Sequence, residues 1–299
     1  MIQDYSPSKN WTVRELLRWT EDYFQKRDIE SARLDAELLL ARVLGVGRLE
    51  LLTKEFEQVV GEEARAAFRD FVKRRGKKEP VAYLTGEKEF YSLPFEVTPA
   101  VLTPRPETEH LVDEAIALAS DNARILDLGT GSGNIAVALA VNLPGSRITA
   151  VDISPEALEV AGRNAALNAV EDRITFISGD LFAALPGDTP PFDLIVSNPP
   201  YIASAEEEGL MDDVRLFEPR IAFIDCRSPQ GDGLGFFRDI LAGIDSWLRE
   251  EGAVIVEIGS SQGKEVENLF CEKGLGEVVI TRDYARIPRI VRGRREKNG

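Results

Sequence analysis

The chain has 299 residues, 43% of them apolar and 29% charged, which excludes wholesale disorder and leaves enough apolar surface for a sizeable core in two domains of unequal size. Its 36 Lys and Arg stand against 51 Asp and Glu, a formal charge of −15, so tight sequence-blind binding of long nucleic acid is disfavoured. Cys226 and Cys271 lie in unrelated contexts and His110 is the single histidine, which excludes a disulfide framework, a CxxC site and a multi-histidine metal centre, and makes a histidine-based triad improbable.

The N-terminal MIQDYSPSKNWTV has no basic start followed by an apolar run, and no segment approaches about eighteen uninterrupted apolar residues. The expectation is a cytoplasmic protein without a membrane partner. From Trp11 to about Lys78 the pattern is helical, with Val13, Leu16, Leu17, then Ala36, Leu39, Leu40, Val43, then Ala64, Phe68, Phe71, Val72 at three- and four-residue spacings. Thr12 with Glu15 has the spacing of a capping box. A small domain of four or five helices follows from this pattern. RRGKK at Arg74 to Lys78 opens a linker, and Pro-, aromatic- and β-branched-rich sequence after it reads as a β-hairpin over roughly 88–102.

From Arg124 onward, short apolar strands alternate with helical stretches, the mark of a mostly parallel sheet with helices on its faces. The strand candidates are Arg124–Leu128, Arg147–Val151, Arg173–Ile177, Phe192–Ser197, Ala253–Ile258, Glu277–Thr281 and Arg289–Arg292. The last stretch, Arg282 to Gly299, holds seven Arg or Lys against Asp283 and Glu296. It reads as a solvated charged terminus, with contact to RNA or an acidic partner as the alternative. His110, in PRPETEHLVDE, reads as a helix-surface residue.

Chemistry is expected at the carboxyl ends of the first four strands, where open α/β sheets bind ligands. After Leu128, Gly129, Gly131 and Gly133 open a helix and let backbone approach a ligand, while Asn134 stands where a dinucleotide fingerprint carries its last glycine. Asp152, directly after ITAV, is placed to accept both ribose hydroxyls of a nucleoside; capping the next helix is its other possible role, although Ser154 before Pro155 is the better N-cap. Asp180 is equally a turn-former or an acceptor for an exocyclic adenine amine, with Leu181 or Phe182 covering the ring. The fourth strand ends in Asn198, Pro199, Pro200 and Tyr201. Asn198 offers a side-chain carbonyl and the prolines have no N–H, so this rim is rich in acceptors and suits a planar –NH2 group, with Tyr201 adding an aromatic face.

GTGSG after a first strand, an acid ending the second and NPPY after the fourth together resemble S-adenosylmethionine-dependent methyltransferases that modify a planar nitrogen. PVAYLTGEKEFYSLPFEVTPAVLTPRPETEHLV, FDLIVSNPPYI, QGDGLGFFRDIL and VIVEIG narrow the resemblance to the protein-(glutamine-N5) methyltransferases of peptide chain release factors, over nearly the whole chain. The resemblance implies a Rossmann-like class I α/β methyltransferase domain with a mostly parallel seven-stranded sheet at 109–299, a helical substrate-recognition domain at 1–85 and a linker with a β-hairpin at 86–108. It implies methylation of the glutamine side-chain amide in the Gly-Gly-Gln motif of release factors, with S-adenosyl-L-methionine as cofactor and no stable nucleic-acid partner. Gly129, Thr130, Gly131, Ser132 and Gly133 would line the methionine and ribose part, Asp152 would hold the ribose, and Asp180, Leu181, Phe182 and Asn198 would complete the cofactor site. Asn198, Pro199, Pro200 and Tyr201 would hold the glutamine, with Asn198, Pro199 and Tyr201 as the catalytic set. Relatives commonly carry an aromatic residue where Leu181 stands, so Phe182 is the expected substitute. The PRPETE segment, with Glu107, is a hallmark near the pocket.

Two neighbouring readings share these motifs: a glutamine methyltransferase acting on a ribosomal protein, and a nucleic-acid amino-methyltransferase acting on a flipped base, against which the charge of −15 speaks. A non-catalytic cofactor scaffold is opposed by the intact GTGSG, Asp152 and NPPY. An oxidoreductase is opposed by Asn134 and by NPPY itself.

Overall fold

The computed structural model describes residues 10–54 and 56–297; most of the segment read for a leader, and Asn298 and Gly299 of the basic tail, lie outside the described residues. The chain divides into two compact units, one running up to Gly86 and taking in Asp212–Phe217, the other comprising Glu87–Met211 and Glu218–Gly299.

In the first unit the helices are Val13–Gln25, Ala32–Leu44, Arg48–Thr53, Glu62–Arg75 and Val81–Thr85. Thr12 and Glu15 form the capping box: Thr12 Oγ1 accepts the Glu15 N–H at 3.3 Å and a Glu15 carboxylate oxygen accepts the Thr12 N–H at 3.0 Å. Apolar stripes at helical spacing close a core that includes Val13, Leu16, Leu17, Phe24, Leu39, Leu40, Leu51, Phe68 and Val72. Within it the buried Arg75 guanidinium donates to Asp35 Oδ2 at 2.7 Å, joining two helices through a pair that neither partner could leave without stranding the other's charge. RRGKK is therefore still helical as far as Arg75, and Val81–Thr85 turns part of the expected linker into a further helix, ended by Gly86 at φ +77°. The short helix Asp212–Phe217 returns to this unit from far along the chain, where Asp213 lies 3.9 Å from Arg75.

In the second unit a hairpin pairs β1 (Glu87–Phe90) with β2 (Leu93–Glu96). Tyr91 and Ser92, both at positive φ, make its two-residue turn. The hairpin stops at Glu96, short of the expected 102, because its partner strand begins at Glu87, opposite Glu96; on the outer side the Glu96 N–H and C=O are taken by the Asn164 side-chain amide at 2.6 and 2.9 Å. The same Asn164 Nδ2 donates to the Ser132 carbonyl at 2.9 Å.

The strands that follow are β3 (Arg124–Leu128), β4 (Arg147–Asp152), β5 (Ile174–Ser178), β6 (Phe192–Ser197), β7 (Leu248–Glu257), β8 (Leu275–Arg282) and β9 (Pro288–Arg295). They form one seven-stranded sheet in the order β5-β4-β3-β6-β7-β9-β8, parallel from β5 to β7, with β9 antiparallel to both its neighbours. All the expected strands are present; β9 runs beyond its apolar stretch because Arg294 and Arg295 remain in the ladder, and β7 starts early, at Leu248, which pairs with Phe192 ahead of an irregularity. β6 is buried throughout, so its apolar residues do not alternate with exposed ones, and its one acid, Asp193, accepts the Arg124 N–H at 2.7 Å. One core cluster packs the helices Glu109–Leu118, Asn134–Asn142 and Pro155–Leu167 on one face; a second packs Gly235–Trp247 and Gly263–Glu272 on the other. His110 sits on the first of these helices, half-buried, edge-on to Tyr284 at 5.5 Å. No helix of the described residues is long and apolar enough to cross a membrane.

Candidate active site

The chain runs outward from β3 through β4 to β5 and then returns to the other side of β3 as β6, so the strand order reverses between β3 and β6. The carboxyl edge at such a reversal leaves a crevice. Residues from the loops after β3, β4, β5 and β6 line one cavity there, together with residues of the 100–108 segment and of 219–227.

Gly129 and Gly131 line this cavity at φ +74° and +55°. A Cβ built on either meets no protein atom within 4 Å, so glycine serves both the left-handed backbone and the open space beside it. Gly133 differs: it is not a lining residue, and its Cβ would come within 3.0 Å of the Ala161 Cβ. Its φ of +78° ends the turn so that Asn134–Asn142 can start hard against Pro155–Leu167. Thr130 and Ser132 line the cavity, Thr130 through a hydroxyl that donates to Asp127 Oδ2 at 2.6 Å.

Asp152, at the end of β4, lines the cavity while its Oδ2 accepts the Gly131 N–H at 2.8 Å and its Oδ1 accepts the Ser154 N–H at 2.9 Å. A carboxylate keeps further lone pairs after two such bonds, so these ties orient it without exhausting it. Burial, opposed by these backbone bonds, holds its carboxyl above the ordinary range. Ser154 is the N-cap before Pro155, its hydroxyl accepting the Ala157 N–H at 3.1 Å.

After β5, Asp180 and Leu181 line the cavity, and Asp180 forms an ion pair with Arg227, which also reaches Asp239 at 2.7 Å. Leu181 is held at φ +44°. Phe182 corrects an expectation: it is not a cavity-lining residue but stacks on Trp247, with ring planes 3° apart and centroids at 6.5 Å, over Gly243. A Cβ on Gly243 would collide with that ring, so the glycine is the seat into which Phe182 fits. With Leu181 turned toward the cavity, the next side chain points away, and the apolar cover comes from Leu181 and Ile153.

Of the NPPY residues, Asn198 and Pro200 line the cavity, while Pro199 and Tyr201 do not. Pro199 is buried. Tyr201 packs its ring against the second core cluster and donates its hydroxyl to Glu257 Oε1 at 3.3 Å, so the aromatic face expected for stacking is not presented here. Asn198 Nδ2 donates to Thr108 Oγ1 at 3.2 Å, and Oδ1 has no hydrogen-bond partner among the described residues. The acceptor end of this amide is thus left free on a residue that lines the cavity.

The residues present fit an adenosyl sulfonium: open space over Gly129 and Gly131, an oriented carboxylate at Asp152, apolar cover at Ile153 and Leu181, and an acceptor at Asn198. Residues 15–86 match the family model described as PrmC N-terminal domain, and residues 108–214 match the methyltransferase small domain. The release factor glutamine methyltransferase of Rhodopirellula baltica is 45% identical over 289 residues, 94% of this chain and 95% of its own. That of Geobacter sulfurreducens is 43% identical over 284 residues, 95% and 97% of the two chains. The chain belongs to the release factor glutamine methyltransferases. A solved methyltransferase from Pyrococcus furiosus, 18% identical with a TM-score of 0.51 over 70% of this chain and 92% of its own, shares the fold.

In this release factor glutamine methyltransferase, sequence reasoning missed two buried carboxyls beside the site. Asp127, fully buried under the glycine turn, is pushed up to about 7 by burial, against the Thr130 hydrogen bond and with the nearby Asp152 charge adding to the rise. Glu257, at the end of β7, is likewise pushed up to about 7, first by burial, with Thr108 and Tyr201 bonds and Arg289 opposing and Glu107 adding. An acid inside an otherwise apolar strand run, as in LDL and VIVEI, is the signal that would have found both.

Proposed function

We propose that this chain methylates the side-chain amide nitrogen of the glutamine in the Gly-Gly-Gln motif of peptide chain release factors, using S-adenosyl-L-methionine. The observation that carries the chemistry is Asn198, which lines the same cavity as the open glycine turn and, with Nδ2 given to Thr108, keeps Oδ1 without a partner among the described residues. Gly129, Thr130, Gly131, Ser132, Asp152, Asp180 and Leu181 would hold the cofactor, which supplies a methyl group on a positively charged sulfur. Family membership supports release factors as substrate, and a role in translation termination would place the protein in the cytoplasm.

A carboxamide nitrogen is a weak nucleophile because its lone pair is delocalised into the carbonyl. Asn198 Oδ1 would accept one of the two amide hydrogens, turning the nitrogen's lone-pair direction toward the methyl group; the Pro199 main-chain carbonyl, the expected second acceptor, belongs to a buried residue that does not line the cavity here. The nitrogen–carbon bond forms as the carbon–sulfur bond breaks, and the proton lost from nitrogen leaves to solvent. Positioning and fixed dipoles, rather than a strong base, would lower the barrier. The helical unit would hold the body of the release factor while its Gly-Gly-Gln loop reaches the cavity.

The test is transfer of labelled methyl from S-adenosylmethionine to unmethylated release factor, with a Gln→Ala variant of its Gly-Gly-Gln motif, ribosomal proteins and DNA in parallel. Label on the release factor that vanishes in the variant is expected. Label on a ribosomal protein or on DNA would overturn the substrate and keep the methyl donor.

A further inference from the structure

Asn198 does not stand alone behind the cavity. Its Nδ2 donates to Thr108 Oγ1 at 3.2 Å, the Thr108 hydroxyl donates to Glu257 Oε2 at 2.6 Å, and Glu257 Oε1 accepts the Tyr201 hydroxyl at 3.3 Å. Thr108 and Glu257 are both buried, so neither can exchange these partners for water. Thr108 comes from the turn before the helix Glu109–Leu118 and Glu257 from the end of β7, so three separate segments converge on the amide.

A hydroxyl has one hydrogen to give. With Glu257 ionised, and therefore acceptor-only, that hydrogen is spent on Glu257 and Thr108 turns a lone pair toward Asn198. Only Nδ2 can face a lone pair, so Oδ1 is left for the cavity. Resting on the methyl transfer proposed above, we infer that Thr108 and Glu257 are positioning residues that set which end of the Asn198 amide meets the substrate, and that an ionised Glu257 selects the productive end.

The reverse state follows from the same bookkeeping. A protonated Glu257 donates to Thr108 Oγ1, the Thr108 hydrogen is released to Asn198 Oδ1, and the amide turns its Nδ2 into the cavity. A donor there opposes the N–H groups of a carboxamide substrate, and the acceptor rim loses its side-chain member. The charged and titratable groups facing Glu257 are Glu107 on the preceding turn, Tyr201 after β6 and Arg289 on β9; Arg289 lies 3.6 Å from Glu107 and is bound by Asp283 at 2.9 Å. Arg105, held by Glu218 at 2.8 Å, acts on Tyr201 at longer range. Burial and Glu107 outweigh the cationic neighbour and the two hydroxyl bonds, which leaves Glu257 titrating at about 7, within reach of ordinary assay conditions.

The test is the pH dependence of kcat for release factor methylation by wild type, Thr108→Val, Thr108→Ser and Glu257→Gln, with cofactor affinity measured by calorimetry for each. Wild-type kcat is expected to fall as pH drops through about 7. Thr108→Val, which keeps the shape and removes the hydroxyl, is expected to lose about 10- to 100-fold in kcat with cofactor affinity unchanged. Thr108→Ser returns the hydroxyl and is expected to recover most of that loss. Glu257→Gln, a permanent donor, is expected to be slow and flat over about pH 6 to 8. A Thr108→Val enzyme within about twofold of wild type in kcat, or an acidic limb that persists in Glu257→Gln, overturns the inference while methyl transfer stands. A wild type that methylates no glutamine overturns both.

Discussion

The Gly131 N–H donates to Asp152 Oδ2 at 2.8 Å and, with the Gly129 and Thr130 N–H groups on the Val151 carbonyl, fastens the glycine turn after β3 to the end of β4 along one wall of the cavity. Because a Cβ on Gly131 would enter open space at φ +55°, Gly131→Ala is expected to weaken S-adenosylmethionine binding by at least about tenfold and to cost about 1–2 kcal/mol in backbone strain. Gly133→Ala adds the close approach to Ala161 to its own strain and is expected to lower Tm more while lowering affinity less. Calorimetric titration beside thermal unfolding separates the two.

Asn198→Ala removes the acceptor at the cavity without touching the glycine turn. Turnover is expected to fall by about 100-fold or more, the scale of removing a fixed transition-state partner, with cofactor affinity retained. Near-normal turnover in steady-state assays would remove the side chain from the mechanism.

Leu181 and Phe182 exchange the parts that adjacency alone suggests. Leu181→Ala is expected to weaken cofactor binding, since Leu181 lines the cavity. Phe182→Ala is expected to leave affinity nearly unchanged and to cost stability by about 1–2 kcal/mol, because the half-buried ring loses its contact with Trp247. Affinity and Tm measured on both variants test the exchange.

Asp127 makes stability depend on pH in a direction opposite to a salt-bridged carboxylate. Its folded carboxyl titrates at about 7 against an ordinary 3.8, so between these values the folded chain holds a proton that the unfolded chain has released. Its contribution to stability therefore falls as pH rises through that window and levels off above it. Asp127→Asn lacks the titration, so the Tm of the variant relative to wild type is expected to climb over the same window. A difference that stays constant with pH would contradict the buried, protonated carboxyl.

The sheet was legible because its central strands β3 and β6 are buried and, like the more exposed β4, run into the glycine, asparagine or aspartate that the ligand edge needs. GTGSG, Asp152 and NPPY were legible for the same reason: they sit where chain direction changes. What stayed hidden depends on contacts between distant segments. The Thr108, Glu257 and Asn198 chain joins residues separated by 90 and 149 positions, and no local spacing announces it. The outer edge of the hairpin is held by Asn164, 68 residues away from Glu96. Phe182 was misplaced because adjacency to Leu181 says nothing of direction, which the positive φ of Leu181 decides. Asp212–Phe217 carries no local sign that it clusters with the helical unit.

The most direct measurement of the central claim is tandem mass spectrometry of a release factor treated with this chain and S-adenosylmethionine. A single methyl group on the side-chain nitrogen of the Gly-Gly-Gln glutamine, absent with Asn198→Ala, is the expected result. A methyl group on any other residue, or none on a release factor that a known relative modifies under the same conditions, would contradict it.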